Sequence, residues 1–391
     1  MKVLWLASWY PNQTDLFTGD FIERHALAVA PHVQWLAVIA VVKDVSMHAG
    51  EVTITEEVSG NRMVYKASYG PSGMGAFVEK LLSQKKYLAL QQKIFDKIKT
   101  AHGLPDILHV HVAMKAGLFA KKIWSRYHIP YVVTEHWTGY YKNCVPNIYS
   151  KGKLFVRLNN KVLAAARMLL PVSNDLGKTI NQNFVKKDYQ VIPNVVDTKL
   201  FFYKPAVAEI FQFIHPSYMN YQKNPEGILR ACKIVKDKGQ PFKMQMVGND
   251  AEELHAQARQ LGLLNTEVFF TPAVAYTQVA ALMQQSQALV LFSRFENLPC
   301  VILEALCCGL PVISSRAGGV AEVIHADNGI LVESENVQQL SNAMLELIQH
   351  YKNYNRDKIA ASATATFNYE TVGTQISQVY TNVLNALNNH A

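Results

Sequence analysis

The sequence has few cysteines and no long apolar run. Its five cysteines, at positions 144, 232, 300, 307 and 308, are odd in number and irregularly spaced, which argues against a disulfide framework and a Cys-x2-Cys zinc site. No segment approaches the roughly 20 consecutive apolar residues of a membrane span. The first apolar run is short and meets Trp9-Tyr10-Pro11 without a cleavage site, so we predict a buried strand and no signal peptide. A reducing, cytoplasmic compartment is expected.

Charge is unevenly distributed along the 391 residues. Residues 1–200 contain 25 Lys and Arg against 14 Asp and Glu, a balance of +11. Residues 201–391 contain 13 against 16, a balance of −3, and the two halves sum to the net charge of +8. A chain of this length is typical of two domains. The basic half is expected to meet an anionic partner.

Short apolar segments alternate with longer amphipathic ones in both halves, which is typical of βαβ units with buried parallel strands. The alternation is interrupted between Ile192 and Pro205, where prolines and turn formers indicate a linker. We therefore predict an α/β protein of two doubly wound domains, residues 1–195 and 196–371, that face each other across a cleft. A C-terminal helix, 372–391, is expected to pack back on the first domain. Such sheets bind ligands at the carboxyl ends of their strands.

The strands predicted from this pattern are Val3–Ser8, Val33–Val42, Ile107–His111, Tyr131–Thr134, Met168–Val172, Gln190–Ile192, Phe211–His215, Lys243–Gly248, Val268–Thr271, Ala288–Phe292, Pro311–Ser314 and Gly329–Val332. The predicted helices are Phe21–Ala30, Lys115–Tyr127, Pro225–Lys238, Ala251–Leu261, Tyr276–Gln284, Val301–Cys307 and a tail from Tyr369 to Asn388.

Two glutamates, Glu296 and Glu304, are separated by seven residues in a strand–loop–helix segment. Glu296 follows a predicted strand, and Glu304 lies about one turn inside a helix that begins near Pro299 and ends at Gly309. Two carboxylates at the carboxyl edge of a sheet suit the hydroxyl groups of a sugar and a ribose. The structural alternative is a helix-start acid favoured by the dipole and a solvated loop acid.

This segment closely resembles the Glu-x7-Glu region of the retaining glycosyltransferases of family 4 (group 1), which have the GT-B fold of two Rossmann-like domains. The resemblance covers most of the C-terminal half and, more weakly, the N-terminal half. It implies that Glu296 lies beside the donor sugar as a catalytic residue and that Glu304 binds the ribose hydroxyls. It also implies that Gly318 and Gly319 lie near the donor sugar, where glycines allow a close backbone approach.

A second match precedes the helix predicted to begin at Pro225. A Lys beside a helix N-terminus suits a pyrophosphate, because the dipole and the ammonium act together; the alternative is a solvated lysine. The family has an Arg and a Lys that bind the donor diphosphate, and Lys223 matches that Lys, which implies a catalytic role in stabilising the leaving group. Tyr218 stands where the Arg is usual and Ser217 where a Gly is usual. One positive charge is therefore missing, while Ser217 could bind the donor through a hydrogen bond.

The N-terminal half places a glycine and three histidines after predicted strands. Gly19 resembles the family's glycine loop beside the donor phosphate, with one Gly where two are common; the alternative is a turn glycine. The resemblance implies that His136 is catalytic, near the reacting carbon of the donor sugar, and that His111 lines the acceptor pocket. His109 is expected to be a hydrogen-bonded core residue. A zinc site built from these histidines is disfavoured, because the resemblance explains them without a metal.

Three basic amphipathic stretches, Phe77–Lys99, Lys121–Arg126 and Lys151–Arg167, carry much of the positive charge. They are either solvated helix faces or a surface that binds anionic lipid and holds the enzyme beside a lipid-linked acceptor. Nucleic acid fits the charge alone, but no nucleic-acid-binding motif is present, so no nucleic-acid partner is expected.

Together with the resemblance, these features predict a metal-independent retaining glycosyltransferase that needs no cofactor. Its donor is expected to be a UDP- or GDP-sugar held by the second domain, and its acceptor a glycan or lipid-linked molecule of cell-surface polysaccharide synthesis held by the first. Its expected location is the cytoplasm, with peripheral contact at the inner face of the membrane. The alternatives are a GT-B relative such as a nucleotide-sugar epimerase or a phosphorylase, and a non-catalytic nucleotide-sugar-binding subunit. A dinucleotide-dependent oxidoreductase is disfavoured, because no Gly-x-Gly-x-x-Gly follows the first strand of either domain.

Overall fold

The computed structural model describes residues 1–15, 17–205, 209–249 and 252–389. The chain forms two compact units. The first unit comprises residues 1–172, 176–193 and the segment from residue 369 onward, and the second comprises 173–175 and 194–368. The division after residue 193 lies two residues before the boundary predicted at 195. No helix in the described ranges is both long and apolar enough to cross a membrane.

Strands and helices alternate along most of the described chain. The strands are β1 Lys2–Ala7, β2 Trp35–Lys43, β3 Val52–Ser59, β4 Arg62–Tyr69, β5 Ile107–His111, β6 Tyr131–Glu135, β7 Leu169–Pro171, β8 Gln212–Ser217, β9 Lys243–Gly248, β10 Val268–Thr271, β11 Ala288–Leu291, β12 Val312–Ser315 and β13 Gly329–Val332. The helices are α1 Asp20–Val29, α2 Ala76–His102, α3 Ala116–Tyr127, α4 Lys153–Ala165, α5 Asn174–Asn183, α6 Pro225–Asp237, α7 Glu252–Gln260, α8 Tyr276–Gln285, α9 Cys300–Cys307, α10 Val337–His350, α11 Arg356–Phe367 and α12 Tyr369–Asn388.

The sheet of the first unit has the strand order β3-β4-β2-β1-β5-β6-β7. Its neighbouring strands are parallel, except for β3, which runs antiparallel to β4. Strands β5 and β6 are buried along their whole length, as expected of parallel strands covered on both faces. The strand order reverses between β1 and β5, so ligands of this kind of sheet bind beside the carboxyl ends of those two strands.

The sheet of the second unit is parallel throughout and has the order β10-β9-β8-β11-β12-β13. Numbered within the unit, this is the 3-2-1-4-5-6 order of a Rossmann fold. Buried side chains such as Phe213, Met246 and Val290 form the core with the inner faces of α6 and α10. The switch point lies between β8 and β11, where two of the predicted site loops begin.

The predicted α/β fold of two doubly wound parallel sheets is confirmed, and most predicted elements occur within two residues of their expected bounds. The strand predicted at Gln190–Ile192 is wrong. The N–H groups of Gln190 and Ile192 donate to carbonyls of β7, but Pro193 follows at once and only a single bridge, Leu169 to Tyr189, forms. The helix predicted at Ala251–Leu261 occurs as α7, and residue 251 lies outside the described residues.

The β3–β4 hairpin and the helices α5, α10 and α11 were not predicted. Strand β3 is exposed along its whole length, so its sequence lacks the apolar run by which buried strands were recognised.

The C-terminal helix α12 belongs to the first unit and packs against α1. A Cβ atom on Gly373 would lie 2.1 Å from the carbonyl oxygen of Ala28, which shows how closely the two backbones approach. Farther along the helix, the Tyr380 hydroxyl accepts a hydrogen bond from Trp5 Nε1 at 3.0 Å. The prediction of a helix from Tyr369 to Asn388 is confirmed.

Candidate functional site

In the second unit, the predicted site residues lie at or just beyond the carboxyl ends of neighbouring strands. Ser217 ends β8, Glu296 lies in the loop after β11, and Gly318 lies in the loop after β12. Lys223 follows β8 in a 3-10 turn, Tyr221–Lys223, directly before α6. Because parallel strands bring their carboxyl ends to one edge of the sheet, residues far apart in sequence meet at the switch point.

Lys223 and Glu296 form an ion pair at this edge. Lys223 Nζ lies 2.5 Å from Glu296 Oε1, and the two side chains are only 15% and 5% exposed. Glu296 Oε2 accepts a second hydrogen bond, at 3.3 Å, from Gln222 Nε2. Gln222, which the sequence analysis did not single out, thus orients the carboxylate. The pair is a shielded ammonium and carboxylate, which interact more strongly than an exposed pair.

Lys223 lies next to the N-terminus of a well-capped helix. Asn224, in the left-handed region with φ of 51°, caps α6 through its side chain, which accepts a hydrogen bond from the N–H of Gly227. Pro225 takes the first helical position, where its missing N–H leaves no hydrogen bond unmade. The positive end of a 13-residue helix and an ammonium are therefore adjacent, the arrangement that favours an anion.

Glu304 is buried on α9 and has a partner that the sequence analysis missed. Its Oε1 accepts a hydrogen bond from the Tyr276 hydroxyl at 2.5 Å, and the residue is 5% exposed. Tyr276 is the first residue of α8. A tyrosine at the first helical position after a strand was a signal available in the sequence, but nothing in its spacing connected it with Glu304.

The two glycines after β12 support the loop that carries Glu296. Gly318 has a φ of +51°, and a Cβ atom there would lie 2.2 Å from the carbonyl oxygen of Glu296. The N–H of Gly319 donates to the carbonyl of Asn297 at 2.8 Å. A Cβ atom on Gly319 would lie 2.3 Å from the Cβ atom of Ser173 and 3.0 Å from the carbonyl oxygen of Asn297. Close packing therefore favours glycine at both positions, in addition to the ligand approach expected from the sequence.

Ser217 is the last residue of β8, and its hydroxyl is held by contacts with near neighbours in the chain. Its hydroxyl lies 2.8 Å from His215 Nε2 and accepts a hydrogen bond from the N–H of Met219 at 3.0 Å. Burial lowers the pKa of His215 to about 4, so this imidazole is neutral near pH 7 and adds no positive charge beside Lys223. In the same unit, Glu322 accepts hydrogen bonds from the backbone N–H groups of Asn174 and Asp175.

In the first unit, the predicted histidines meet beside the carboxyl ends of β5 and β6. The rings of His111 and His136 stack with centroids 5.9 Å apart, and His25 lies 5.6 Å from His136. His109 is the expected core residue, because its two ring nitrogens meet the Tyr380 hydroxyl at 2.5 Å and the Thr134 hydroxyl at 2.7 Å.

His111 is completely buried, and neither of its ring nitrogens has a hydrogen-bond partner in the described part of the chain. Burial lowers the pKa of His25 to about 4 and holds the pKa values of His109 and His111 well below their usual range. The described residues contain no group of three His, Cys, Asp or Glu placed to hold a metal ion.

Glu135 fixes the backbone around His136 and was not singled out from the sequence. Its carboxylate accepts hydrogen bonds from the N–H groups of Ala113, His136 and Trp137 and from the Tyr140 hydroxyl. Burial raises the pKa of this carboxyl, an effect that these hydrogen bonds oppose. An acidic residue directly before His136 was the available signal.

Gly19, the residue directly before α1, has a φ of +70°, and a Cβ atom there would lie 2.7 Å from the backbone of Trp9. The backbone alone therefore requires glycine at this position.

Comparisons with known proteins agree with this architecture. Residues 201–364 match the family "Glycosyl transferases group 1" and residues 66–200 match "Glycosyltransferase Family 4". The two matches run without a gap from residue 66 to 364.

One relative is a putative teichuronic acid biosynthesis glycosyltransferase of Bacillus subtilis, which is 25% identical over 96% of this chain and 94% of its own length. Another is the N-acetyl-alpha-D-glucosaminyl L-malate synthase of Bacillus anthracis, which is 26% identical over 71% of this chain and 75% of its own length.

Solved structures share the fold across almost the whole chain. Sucrose-phosphate synthase from Thermosynechococcus elongatus superposes with a TM-score of 0.81 at 16% identity, covering 99% of this chain and all of that one. Anabaena HepE, solved in complex with UDP, superposes with a TM-score of 0.71 at 18% identity, covering 98% of this chain and all of that one. The chain therefore belongs to the group 1 (family 4) glycosyltransferases of the GT-B fold and is an enzyme that transfers sugars.

Proposed function

We propose that this glycosyltransferase uses a nucleotide-sugar donor, bound at the carboxyl edge of the second unit, and transfers the sugar with retention of configuration. The observation that carries the proposal is the Lys223–Glu296 pair beside the N-terminus of α6. A shielded ammonium at the positive end of a helix suits a diphosphate. A UDP-sugar is favoured over a GDP-sugar, because the structural neighbour HepE was solved with UDP and with UDP-glucose.

The proposed chemistry divides the ion pair between two parts of the donor. When the diphosphate arrives, Lys223 would exchange the Glu296 carboxylate for phosphate oxygens, and Glu296 would be released to accept hydrogen bonds from sugar hydroxyls. Negative charge grows on the departing diphosphate as the glycosidic bond breaks, so the ammonium stabilises the transition state more than the ground state. Glu304, oriented by Tyr276, would bind the ribose hydroxyls. Ser217, Gly318 and Gly319 would complete the donor site.

The first unit is proposed to supply His136 to the reacting end of the donor sugar, with Gly19 beside the donor phosphate and His111 lining the acceptor pocket. The acceptor is proposed to be a glycan or a lipid-linked molecule of cell-surface polysaccharide synthesis. Support for this class comes from the teichuronic acid enzyme among the relatives. Neither a metal nor another cofactor has a part in the proposed mechanism.

We also propose peripheral binding to an anionic membrane surface through α4. Lys153, Arg157 and Lys161 follow one another at intervals of four residues and therefore share a face of this helix. They border a groove of about 770 Å³, with Val156 and Phe184 among its apolar lining residues. No carboxylate in the described ranges lies within ion-pair distance of these three cations. Cations above an apolar groove suit anionic lipid.

The test is a thermal-shift and calorimetry screen against UDP-, GDP- and ADP-sugars, followed by transfer to simple alcohol and glycan acceptors. We expect stabilisation by one nucleotide-sugar class and a product whose anomeric configuration, read by NMR, equals that of the donor. An inverted product would contradict retention. A changed sugar without any acceptor would indicate an epimerase, and binding without turnover would indicate a non-catalytic subunit.

A further inference from the structure

Arg294, two residues before Glu296, contacts three segments around the candidate site of the second unit. Its side chain is 12% exposed, and all three guanidinium nitrogens have partners. Nε donates to Glu335 at 2.9 Å, Nη2 donates to Glu226 at 2.6 Å, and Nη1 donates to the carbonyl of Tyr221 at 2.6 Å. These partners lie on three different segments, which follow β13, begin α6 and follow β8.

The Tyr221–Lys223 turn is joined to the Glu296 loop by further contacts around Arg294. The Arg294 N–H donates to the carbonyl of Gln222 at 2.8 Å, and Gln222 Nε2 donates in return to the carbonyl of Phe295 at 3.0 Å. The guanidinium carbon of Arg294 also lies 4.2 Å from the centre of the Tyr221 ring. The turn that carries Lys223 and the loop that carries Glu296 are thus held together at both side-chain and backbone level.

These contacts require arginine and not simply a positive charge. The guanidinium offers five N–H donors in a rigid, planar fork and can stack on an aromatic ring at the same time. A lysine could pair with Glu226 or Glu335, but its single ammonium could not reach three segments and stack on Tyr221. The Arg-to-Lys exchange therefore separates geometry from charge at this position.

Charge gives Arg294 a second effect. Glu226 lies in the first turn of α6, the helix end proposed to face the diphosphate, where a carboxylate would repel the ligand. Glu335 adds a further negative charge. Pairing with Arg294 offsets these charges, so that the field of Lys223 and of the helix N-terminus remains available to an anion.

We propose that Arg294 is a positioning residue: it holds the Lys223 turn against the Glu296 loop and neutralises Glu226 beside the diphosphate. This inference rests on the proposed function, which assigns Lys223 and Glu296 to the donor, but it concerns a residue that contacts neither sugar nor phosphate in the proposed arrangement.

The experiment compares Arg294→Lys and Arg294→Ala with Arg316→Lys and Arg316→Ala as matched controls. Arg316 also pairs with a glutamate in this unit, at 3.6 Å, but is 54% exposed. We expect Arg294→Lys to lower kcat at least tenfold while leaving the affinity for the nucleoside diphosphate within threefold of wild type. Arg294→Ala should lower both kcat and the affinity for the nucleoside diphosphate. The Arg316 variants should change neither.

Two further measurements distinguish positioning from general destabilisation. In a double-mutant cycle, Arg294→Lys should have little additional effect on kcat once Lys223 is alanine, because it acts through Lys223. In the unliganded protein, amide hydrogen exchange of residues 218–224 and 292–298 should accelerate in Arg294→Lys and stay at wild-type rates in Arg316→Lys.

The inference is overturned if Arg294→Lys has the kcat and the amide hydrogen-exchange rates of wild type. It is also overturned if the loss of kcat is the same with and without Lys223. Failure of the proposed function would look different, because the wild-type protein itself would then bind no nucleoside diphosphate and transfer no sugar. In that case, wild-type rates of amide hydrogen exchange in Arg294→Lys would separately refute the proposal that Arg294 holds the Lys223 turn against the Glu296 loop.

Discussion

The two units have similar parallel sheets but place opposite kinds of chemistry at their carboxyl edges. The first unit collects the buried histidines His25, His109 and His111, whose lowered pKa values keep them neutral near pH 7. The second collects the charged pair Lys223 and Glu296. This local distribution differs from the overall charge, since the neutral histidines lie in the basic half of the chain and the ion pair lies in the half whose net charge is −3.

The comparison teaches that net charge and site chemistry are separate properties of a domain. The +11 of the first 200 residues lies on helices such as α4, where it can act on a large anionic surface. The second half has a net charge of −3, but a shielded lysine beside a helix N-terminus is the local arrangement that favours an anion. If the two units divide the work in this way, substitutions in each unit should affect different properties of the enzyme.

The largest effect is expected for His136→Ala, which should abolish detectable transfer while leaving the affinity for a nucleoside diphosphate unchanged. The reason is that His136 belongs to the first unit, whereas the nucleotide is proposed to bind the second. Calorimetry beside a transfer assay measures both properties, with the exposed His102→Ala as the control. A folded variant that still transfers sugar would remove His136 from the reaction.

Lys223→Ala should lower kcat by about 10²–10³, roughly 3–4 kcal/mol of transition-state stabilisation. The exposed Lys352→Ala should leave it unchanged. Because Lys223→Ala also leaves the buried Glu296 without its cation, Lys223→Ala/Glu296→Gln provides a check on folding. If turnover of the single variant stays within twofold of wild type, the diphosphate is bound elsewhere.

Glu304→Ala should weaken nucleoside diphosphate binding by about 1.5–3 kcal/mol, because ribose hydroxyls lose a charged acceptor. Tyr276→Phe should have a smaller effect, since it removes only the group that orients the carboxylate. Titration calorimetry with the nucleotide alone measures both, and the exposed Glu346→Ala is the control. Equal affinities of Glu304→Ala and wild type would exclude Glu304 from the ribose site.

Acid should destabilise the first unit more than the second. A histidine whose folded pKa is lowered below its unfolded value, near 6.5, stabilises the fold above that value, and this stability is lost as pH falls toward the folded pKa. Between pH 7 and pH 5, each such histidine should remove about 2 kcal/mol. Among the described residues, such lowered pKa values occur at His25, His109 and His111 in the first unit and at His215 in the second.

All five tryptophans, at positions 5, 9, 35, 124 and 137, belong to the first unit, so urea unfolding followed by tryptophan fluorescence reports on that unit alone. Hydrogen exchange of the strands β8 to β13 reports on the second. Equal losses of stability in the two units between pH 7 and pH 5 would show that the histidine cluster is not the cause.

The smallest effect per residue concerns the membrane. Changing Lys151, Lys153, Arg157 and Lys161 to Gln should reduce flotation with anionic vesicles, at about 1 kcal/mol for each cation. The matched control changes four exposed lysines of the second unit to Gln: Lys204, Lys238, Lys352 and Lys358. It therefore has the same net charge as the α4 variant. Binding should also weaken as salt rises, because exposed charges are screened. If both variants float like wild type, α4 is an ordinary solvated helix face.

Much of the fold could be predicted from the sequence, because buried parallel strands have continuous apolar runs. Each run can be recognised without knowing which strand it pairs with. Strands such as Lys243–Gly248 and Gly329–Val332 occur with the predicted bounds. Strand β3 could not be predicted in this way, since an exposed edge strand buries no face and has no continuous apolar run; its apolar residues Val52, Ile54 and Val58 alternate with polar ones.

The same distinction between local and long-range features applies to the candidate site. The sequence by itself determined the residues whose local setting is informative, such as Lys223 before a helix and Glu304 within one, since capping and helix geometry depend on near neighbours. Only the tertiary structure decided the pairing of Lys223 with Glu296, of Tyr276 with Glu304 and of Arg294 with its three segments. Parallel strands bring together loops that are 70 or so residues apart, and no pattern within either loop specifies its partner.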